Sequence, residues 1–379
     1  MKCKRRYDIV VVGAGPVGSY TAYLLAQKSF KVGIVEKKDG VGDGVLCTGV
    51  IGTKAFDRFD LPGESVVTKI DSAVFFSPSG QKLLYEPNEV FACVVDRDVF
   101  DQRLLRKAVE SGVDAFFRHR VSDIEYNGSY CSVKTRGSVY HARAVVVATG
   151  VDYCLHDRLG FGRPDGFLYG SQVDLSVPSL PSRVEVHIGQ DFAPGSFGWI
   201  VPFRNGSSRI GVIVQKEGKV WLRNLIAKRV GKIPPVQACD IRVKPIACGP
   251  VKRSSKDRVL VVGEAAGQVK TTTGGGIYYG LLCAEIAADC IEKNLRSGCR
   301  LDDYEVAWRS ALAAELDIGR NLRSLALKLS DQDIERLFTF AKQNRFWVEL
   351  LIPRIDFDYH SDVIFYCMKS FSHLLQLNH

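Results

Sequence analysis

Residues 7–18 read YDIVVVGAGPVG, and residues 31–36 read KVGIVE. The first is a short β-branched run closed by glycine, the pattern of a strand buried on both faces of a parallel sheet. Helical spacing follows over 15–29, and the second run is again a strand, so a βαβ unit opens the chain. Gly13-Ala14-Gly15-Pro16-Val17-Gly18 fits GxGxxG. Gly13 permits the tight turn, Gly15 with Pro16 lets the backbone approach a pyrophosphate, and Gly18 lets helix pack closely on strand. The pyrophosphate then sits on the positive end of the helix. Glu36 ends the second strand, where an acid accepts hydrogen bonds from ribose hydroxyls. A glycine turn without a ligand is the plain alternative, and strand, turn, helix and acid together argue against it. The unit alone does not separate FAD from NAD.

Outward from this unit, residues 37–53 are glycine-rich and 98–111 are spaced as a helix. Residues 120–141 alternate as a small antiparallel ribbon. RAVVVA at 143–148 is another buried strand, closed by Thr149 and Gly150. The character changes over 151–250, where proline, aromatics and alternating runs such as 183–188 and 209–214 predict a sheet-rich second domain. RVLVVG at 258–263 returns to the buried-strand pattern, so the first domain is discontinuous. A helix is expected over 275–294, and helical spacing runs from 302 to the end. The fold class is therefore α/β. A Rossmann-like nucleotide domain comprises 1–150 and 251–300, with a sheet-rich substrate domain at 151–250 and a helical region at 301–379.

The second motif is VLVVGEAAGQVKTTTGGGIYYG at 259–280. The strand ends at Gly263-Glu264, and a helix begins after Gly274-Gly275-Gly276, with Ile277 first. Consecutive glycines bring backbone N–H groups up to a ring edge, and a helix N-terminus there stabilises negative charge, as on the N1 edge of a reduced flavin.

With GxGxxG, the Ala-Thr-Gly at 148–150 and the Gly-Glu-Ala-Ala-Gly box at 263–267, the chain resembles FAD enzymes of the p-hydroxybenzoate hydroxylase fold. Arg97, in Val-Asp-Arg at 95–97, looks like that group's flavin-contacting arginine. Its usual aspartate is here Glu264, one methylene longer. Gly44-Val45-Leu46-Cys47-Thr48-Gly49 and Phe197-Gly198-Trp199-Ile200-Val201-Pro202 narrow the likeness to the geranylgeranyl reductases. Val201 replaces that family's usual Phe, and its following GxG is reduced to Gly211. The resemblance implies an FAD-dependent oxidoreductase that saturates geranylgeranyl chains of ether-lipid precursors. It implies Phe197, Trp199 and Pro202 on the substrate side and Cys47 beside the flavin, able to position substrate or supply a proton. An aromatic hydroxylase or a flavin halogenase shares the FAD motifs, although the halogenase lysine context after the first βαβ unit is missing. A flavin-bearing escort for prenylated molecules is the non-enzymatic alternative.

Composition sets the remaining expectations. The chain has 379 residues, 46% hydrophobic and 25% charged, and ordinary globular domains look like this. Its net charge of +9 fits an anionic surface or ligand, but basic residues are scattered and not interleaved with aromatics, so no nucleic-acid partner is expected. The eleven cysteines contain no CxxC pair, and no metal site is signalled. No apolar run reaches eighteen residues. A reducing cytoplasm is the expected compartment, with peripheral contact at the inner membrane face. The apolar residues of 360–379 suit a helix packed on its own domain or lying on that surface. No second dinucleotide fingerprint identifies the electron donor: ferredoxin, NADPH and reduced deazaflavin all stay open, so an electron-transfer protein is a candidate partner.

Overall fold

A computed structural model of the chain describes residues 3–177, 182–230, 240–352 and 355–361. The opening strand, Cys3–Val12, lies inside an eight-stranded sheet. Val32–Val35 pairs with it on one side and Ser138–Val147 on the other, both in parallel. Val259–Val261 and Asp114–Phe116 extend the sheet outward, again in parallel. Ile9, Val10 and Val11 are entirely removed from solvent, as a strand covered on both faces demands. Helices Pro16–Gln27, Arg97–Glu110 and Ile277–Ser297 cover one face, burying Val11, Phe100, Leu104 and Leu281 in one core. The antiparallel ribbon Val121–Tyr126 and Cys131–Thr135 leads into Ser138–Val147, and Val10, Tyr140 and Val145 pack in the core of the opposite face. The buried run expected at 143–148 is thus the end of one long strand.

The second sheet has seven strands, ordered Arg242–Ala247, Phe167–Leu175, Ser208–Val214, Phe197–Pro202, Arg183–His187, Ser72–Phe76 and Lys82–Tyr85. Its last two strands come from the stretch 1–150 that the pattern assigns wholly to the nucleotide domain. Arg183–His187 recruits Ser72–Phe76 in parallel across more than a hundred residues, a pairing that no local periodicity announces. A three-stranded sheet, Val50–Gly52, Ala92–Val95 and Val66–Ile70, lies beside it. Helix Gly218–Arg229 covers one face of the large sheet, so tightly that a Cβ on Gly198 would lie 2.5 Å from Leu225 Cδ2.

The expected C-terminal helices are Asp303–Ala326, Asp331–Gln343 and Arg345–Leu351. The first is locked to the nucleotide domain through Trp308, which is fully buried and donates from Nε1 to Ser254 Oγ at 2.7 Å. Tyr304 adds a hydroxyl that donates to the Val261 carbonyl at 2.9 Å and accepts from Gln268 Nε2 at 2.9 Å. Nearly all of the 360–379 segment lies outside the described residues. Among the described residues no helix is long and apolar enough to cross a membrane. Trp308→Ala leaves a large cavity and takes one partner from the Ser254 hydroxyl, which keeps its bond to Glu305 Oε2 at 3.2 Å. It is expected to lower the unfolding free energy by about 3–5 kcal/mol in a urea titration.

Candidate active site

The site begins where the central strands end. Chain order reverses at the C-terminal ends of Cys3–Val12 and Ser138–Val147, the crevice where open α/β sheets hold ligands. Gly13 turns there at φ +107°, and a Cβ on it would lie 2.5 Å from the Ala148 carbonyl oxygen. A Cβ on Gly18 would lie 2.1 Å from the Gly13 oxygen, whereas one on Gly15 would meet nothing within 4 Å. The first and third glycines are therefore demanded by backbone contact, and the second faces open space. Pro16 opens the helix and no side chain caps it. Its free amides suit a pyrophosphate. Glu36 is buried; its Oε2 accepts the Ala14 N–H at 2.8 Å and its Oε1 the Lys38 N–H at 2.9 Å. A carboxylate offers about four lone-pair positions, so both oxygens keep capacity for ribose hydroxyls.

Gly263 also has a positive φ, and a Cβ there would press on Val17 at 3.1 Å. Glu264 follows beside Gly150, and its Oε2 accepts Lys244 Nζ at 2.7 Å. Lys244 belongs to the second sheet, so this ion pair joins the domains. Gly274 turns at φ +75°, and Gly276 precedes helix Ile277–Ser297, whose N-terminus carries neither a side-chain cap nor a first-turn acid. Ile277 packs half-buried on the first core. Two uncapped helix ends thus border the crevice, fitting a ligand that is anionic at both its pyrophosphate and its ring. The residues present fit FAD.

The other wall follows from strand register. Directly opposed residues share a face. Lys244 pairs with Gly170, Gly170 with Ile213 and Ile213 with Phe197; Gln172 pairs with Gly211 and Gly211 with Trp199. These residues form the inner face, because Ile213 Cδ1 and Ile246 Cδ1 each lie 3.1 Å from where a Gly274 Cβ would be. Trp199 lies so close over Gly211 that a Cβ there would be 2.2 Å from its Cζ2, and Phe197 stands 6.0 Å away between ring centroids. Pro202 corrects the expectation. An even-numbered residue of the same strand points to the opposite face, so it is buried away from Phe197 and Trp199. Val201 shares the inner face and is buried in a core with Ile70 and Val94, against which Trp199 also packs.

Cys47 sits half-buried in the glycine-rich loop between these walls. Arg209 fixes that loop, donating from Nη1 to the Thr48 carbonyl at 2.7 Å, and Thr48 Oγ1 donates to Gln172 Oε1 at 3.0 Å. Arg97 is buried, with Nε and Nη2 forked onto Asp101 at 2.8 and 2.9 Å, and it also hydrogen-bonds Cys47. Burial alone would raise the Cys47 thiol. The Arg97 guanidinium, the Lys244 ammonium and the Gly49 N–H outweigh burial and hold the thiol below its ordinary range. Burial pushes Arg209 down, against the pull of Asp174. The site therefore brings together Cys47, Arg97, Glu264, the three glycines and two of the three expected aromatic-strand residues. Lys244, Arg209 and Gln172 went unnoticed in the sequence; the only signal was a charged or polar residue alternating inward on otherwise apolar strands. Among the described residues no cluster of three or more metal-ligating side chains occurs.

Comparison with known proteins follows the same lines. Residues 7–153 match the pyridine nucleotide-disulphide oxidoreductase family model. The digeranylgeranylglycerophospholipid reductase of Methanocaldococcus jannaschii is 29% identical over 87% of this chain and 89% of its own length. Digeranylgeranylglycerophospholipid reductase 2 of Methanothermobacter thermautotrophicus is 28% identical over 88% and 91%. A geranylgeranyl bacteriochlorophyll reductase-like protein from Thermoplasma acidophilum has the same fold, with a TM-score of 0.81 at 19% identity over 89% and 91%. The family model and the reductase relatives mark the chain as an FAD-dependent oxidoreductase. Along most of its length the chain is similar to digeranylgeranylglycerophospholipid reductases, in line with the resemblance of its motifs.

The charge around Cys47 has a measurable sign. A thiol held low by two cations reacts with iodoacetamide at a lower pH midpoint than a free cysteine. In Lys244→Gln one of those cations is gone, and the midpoint rises. Mass-spectrometric alkylation rates at Cys47 across pH check both.

Proposed function

We propose that this chain saturates isoprenoid C=C bonds in the geranylgeranyl chains of ether-lipid precursors. The observation that carries the reading is the apolar face of Phe197, Trp199 and Ile213 set against the Gly274 turn, with Cys47 at its edge. The names of the relatives supply the substrate class. FAD, bound and reduced, supplies the hydride. Gly13, Gly15, Pro16, Gly18, Glu36 and Gly150 hold its adenosine and pyrophosphate end. Arg97, Gly263, Glu264 and the turn Gly274, Gly275 and Gly276 into Ile277 hold the rest.

The protein's own work is orientation and exclusion of water, because an isolated alkene has no carbonyl to absorb charge. Phe197 and Trp199 offer flat apolar surface to a chain, while Gly170 and Gly211 keep the sheet thin beneath it. Cys47 holds the proton for the second carbon. Arg97 and Lys244 make its thiol a stronger acid than an ordinary cysteine, and the donated proton leaves a thiolate already matched by Arg97. Reducing equivalents enter from outside the chain, through ferredoxin, NADPH or reduced deazaflavin. The protein works in the cytoplasm against the inner membrane face, where its net charge of +9 favours anionic headgroups.

The decisive experiment is a mass spectrum of extracted lipid. The anaerobic, dithionite-reduced flavoprotein is incubated with digeranylgeranylglyceryl phosphate. Mass gains in steps of two hydrogens are expected and count the bonds reduced. Unchanged lipid, with flavin reoxidised only by oxygen, transfers the assignment to a hydroxylase or halogenase. Cys47→Ala should keep its flavin and lose about 10²-fold or more in turnover; undiminished turnover removes the proton role. With Cys47 as proton donor, wild-type turnover falls as pH climbs through the lowered thiol pKa, because only the protonated form can donate. Trp199→Ala, which removes the ring lying over Gly211, should raise the lipid KM while leaving flavin content unchanged.

A further inference from the structure

Lys270 and Asp358 form an ion pair at 2.6 Å in which each side chain is only 5% exposed. Asp358 belongs to the short segment 355–361, downstream of helix Arg345–Leu351, and lies 88 residues from its partner. Removing two charges from water costs several kcal/mol per ion, and an apolar pair of the same volume often serves stability as well or better. Stability alone therefore does not account for this pair.

Its surroundings do. The Lys270 N–H donates to the Gly275 carbonyl at 2.9 Å, and its carbonyl accepts the Gly274 N–H at 2.8 Å. Its Cε lies 3.1 Å from where a Gly275 Cβ would be. The backbone of Lys270 thus closes the glycine turn, and its side chain anchors that turn to Asp358 and, at 3.0 Å, to the Phe357 carbonyl. The segment is itself tied from several directions. Tyr279 donates to the Asp358 carbonyl at 2.9 Å, and Lys54 pairs with Asp356 at 2.7 Å. Glu315 accepts the His360 and Ser361 N–H groups at 2.9 and 3.0 Å. Gly52 has no room for a Cβ, which would lie 2.8 Å from Asp358 Oδ2. One strap therefore touches the glycine turn and the strand that leaves the Cys47 loop.

We propose that Lys270 and Asp358 are positioning residues: through them the segment 356–361 sets the Gly274–Gly276 turn in the geometry that receives the flavin ring. The proposal rests on the FAD reading above. It makes flavin affinity and potential depend on a segment that need not touch the cofactor.

The test compares the wild-type chain with Lys270→Met/Asp358→Leu, which removes the charges together and leaves no lone buried ion. The variant is expected to fold, to bind FAD at least tenfold more weakly by fluorescence titration, and to shift the potential of the flavin it does bind. Wild-type affinity and potential in the folded variant overturn the proposal. The second measurement needs no variant: adding FAD to the wild-type chain should slow amide hydrogen exchange in 356–361 as well as in 270–276. Protection confined to 270–276 overturns the coupling whether or not the variant folds. A wild-type chain that takes up no FAD fails differently, by removing the flavin reading itself.

Discussion

The parallel pairing of Cys3–Val12 with Ser138–Val147 is the constraint on which the molecule depends. It brings the Gly13 turn against the Ala148 carbonyl and opens the crevice where chain order reverses. Without that contact the two uncapped helix ends would have no common target. The second sheet gains its meaning from the same crevice. Its inner face is apolar around Phe197, Trp199 and Ile213, yet carries Lys244 and Arg209 at the points where it meets the nucleotide domain.

Much of this was legible in the residues, and the limits were physical. The βαβ unit, the glycine turns and the late strand are local, and each announces itself within about twenty residues through period, glycine spacing and an acid. Cys47 stood out from eleven cysteines through the likeness of its glycine-flanked loop to that of the geranylgeranyl reductases. Lys244 could not be singled out, since its importance arises from meeting Glu264 across a domain boundary. Neither could Asp358, whose partner is 88 residues away, nor the entry of Ser72–Phe76 into the second sheet. Pro202 differs in kind. Strand alternation alone separates it from Phe197 and Trp199, so the information was present and the motif's outline obscured it.

Electrostatics within the crevice is distributed rather than local. Arg97 is shared between Asp101 and Cys47, and Lys244 between Glu264 and Cys47. A change of charge at any one member is felt by the others, so single substitutions there report on a network more than on a residue.

The central place of the first strand also has a consequence for how the protein is made. Ile9, Val10, Val11 and Val12 leave the ribosome well before their neighbour at Ser138–Val147, which lies well over a hundred residues behind. At roughly 5–20 residues added per second, that unsatisfied edge stays exposed for on the order of ten seconds. An apolar strand waiting that long invites association with other chains, so the same topology that builds the crevice makes the nascent protein a natural client of holding chaperones.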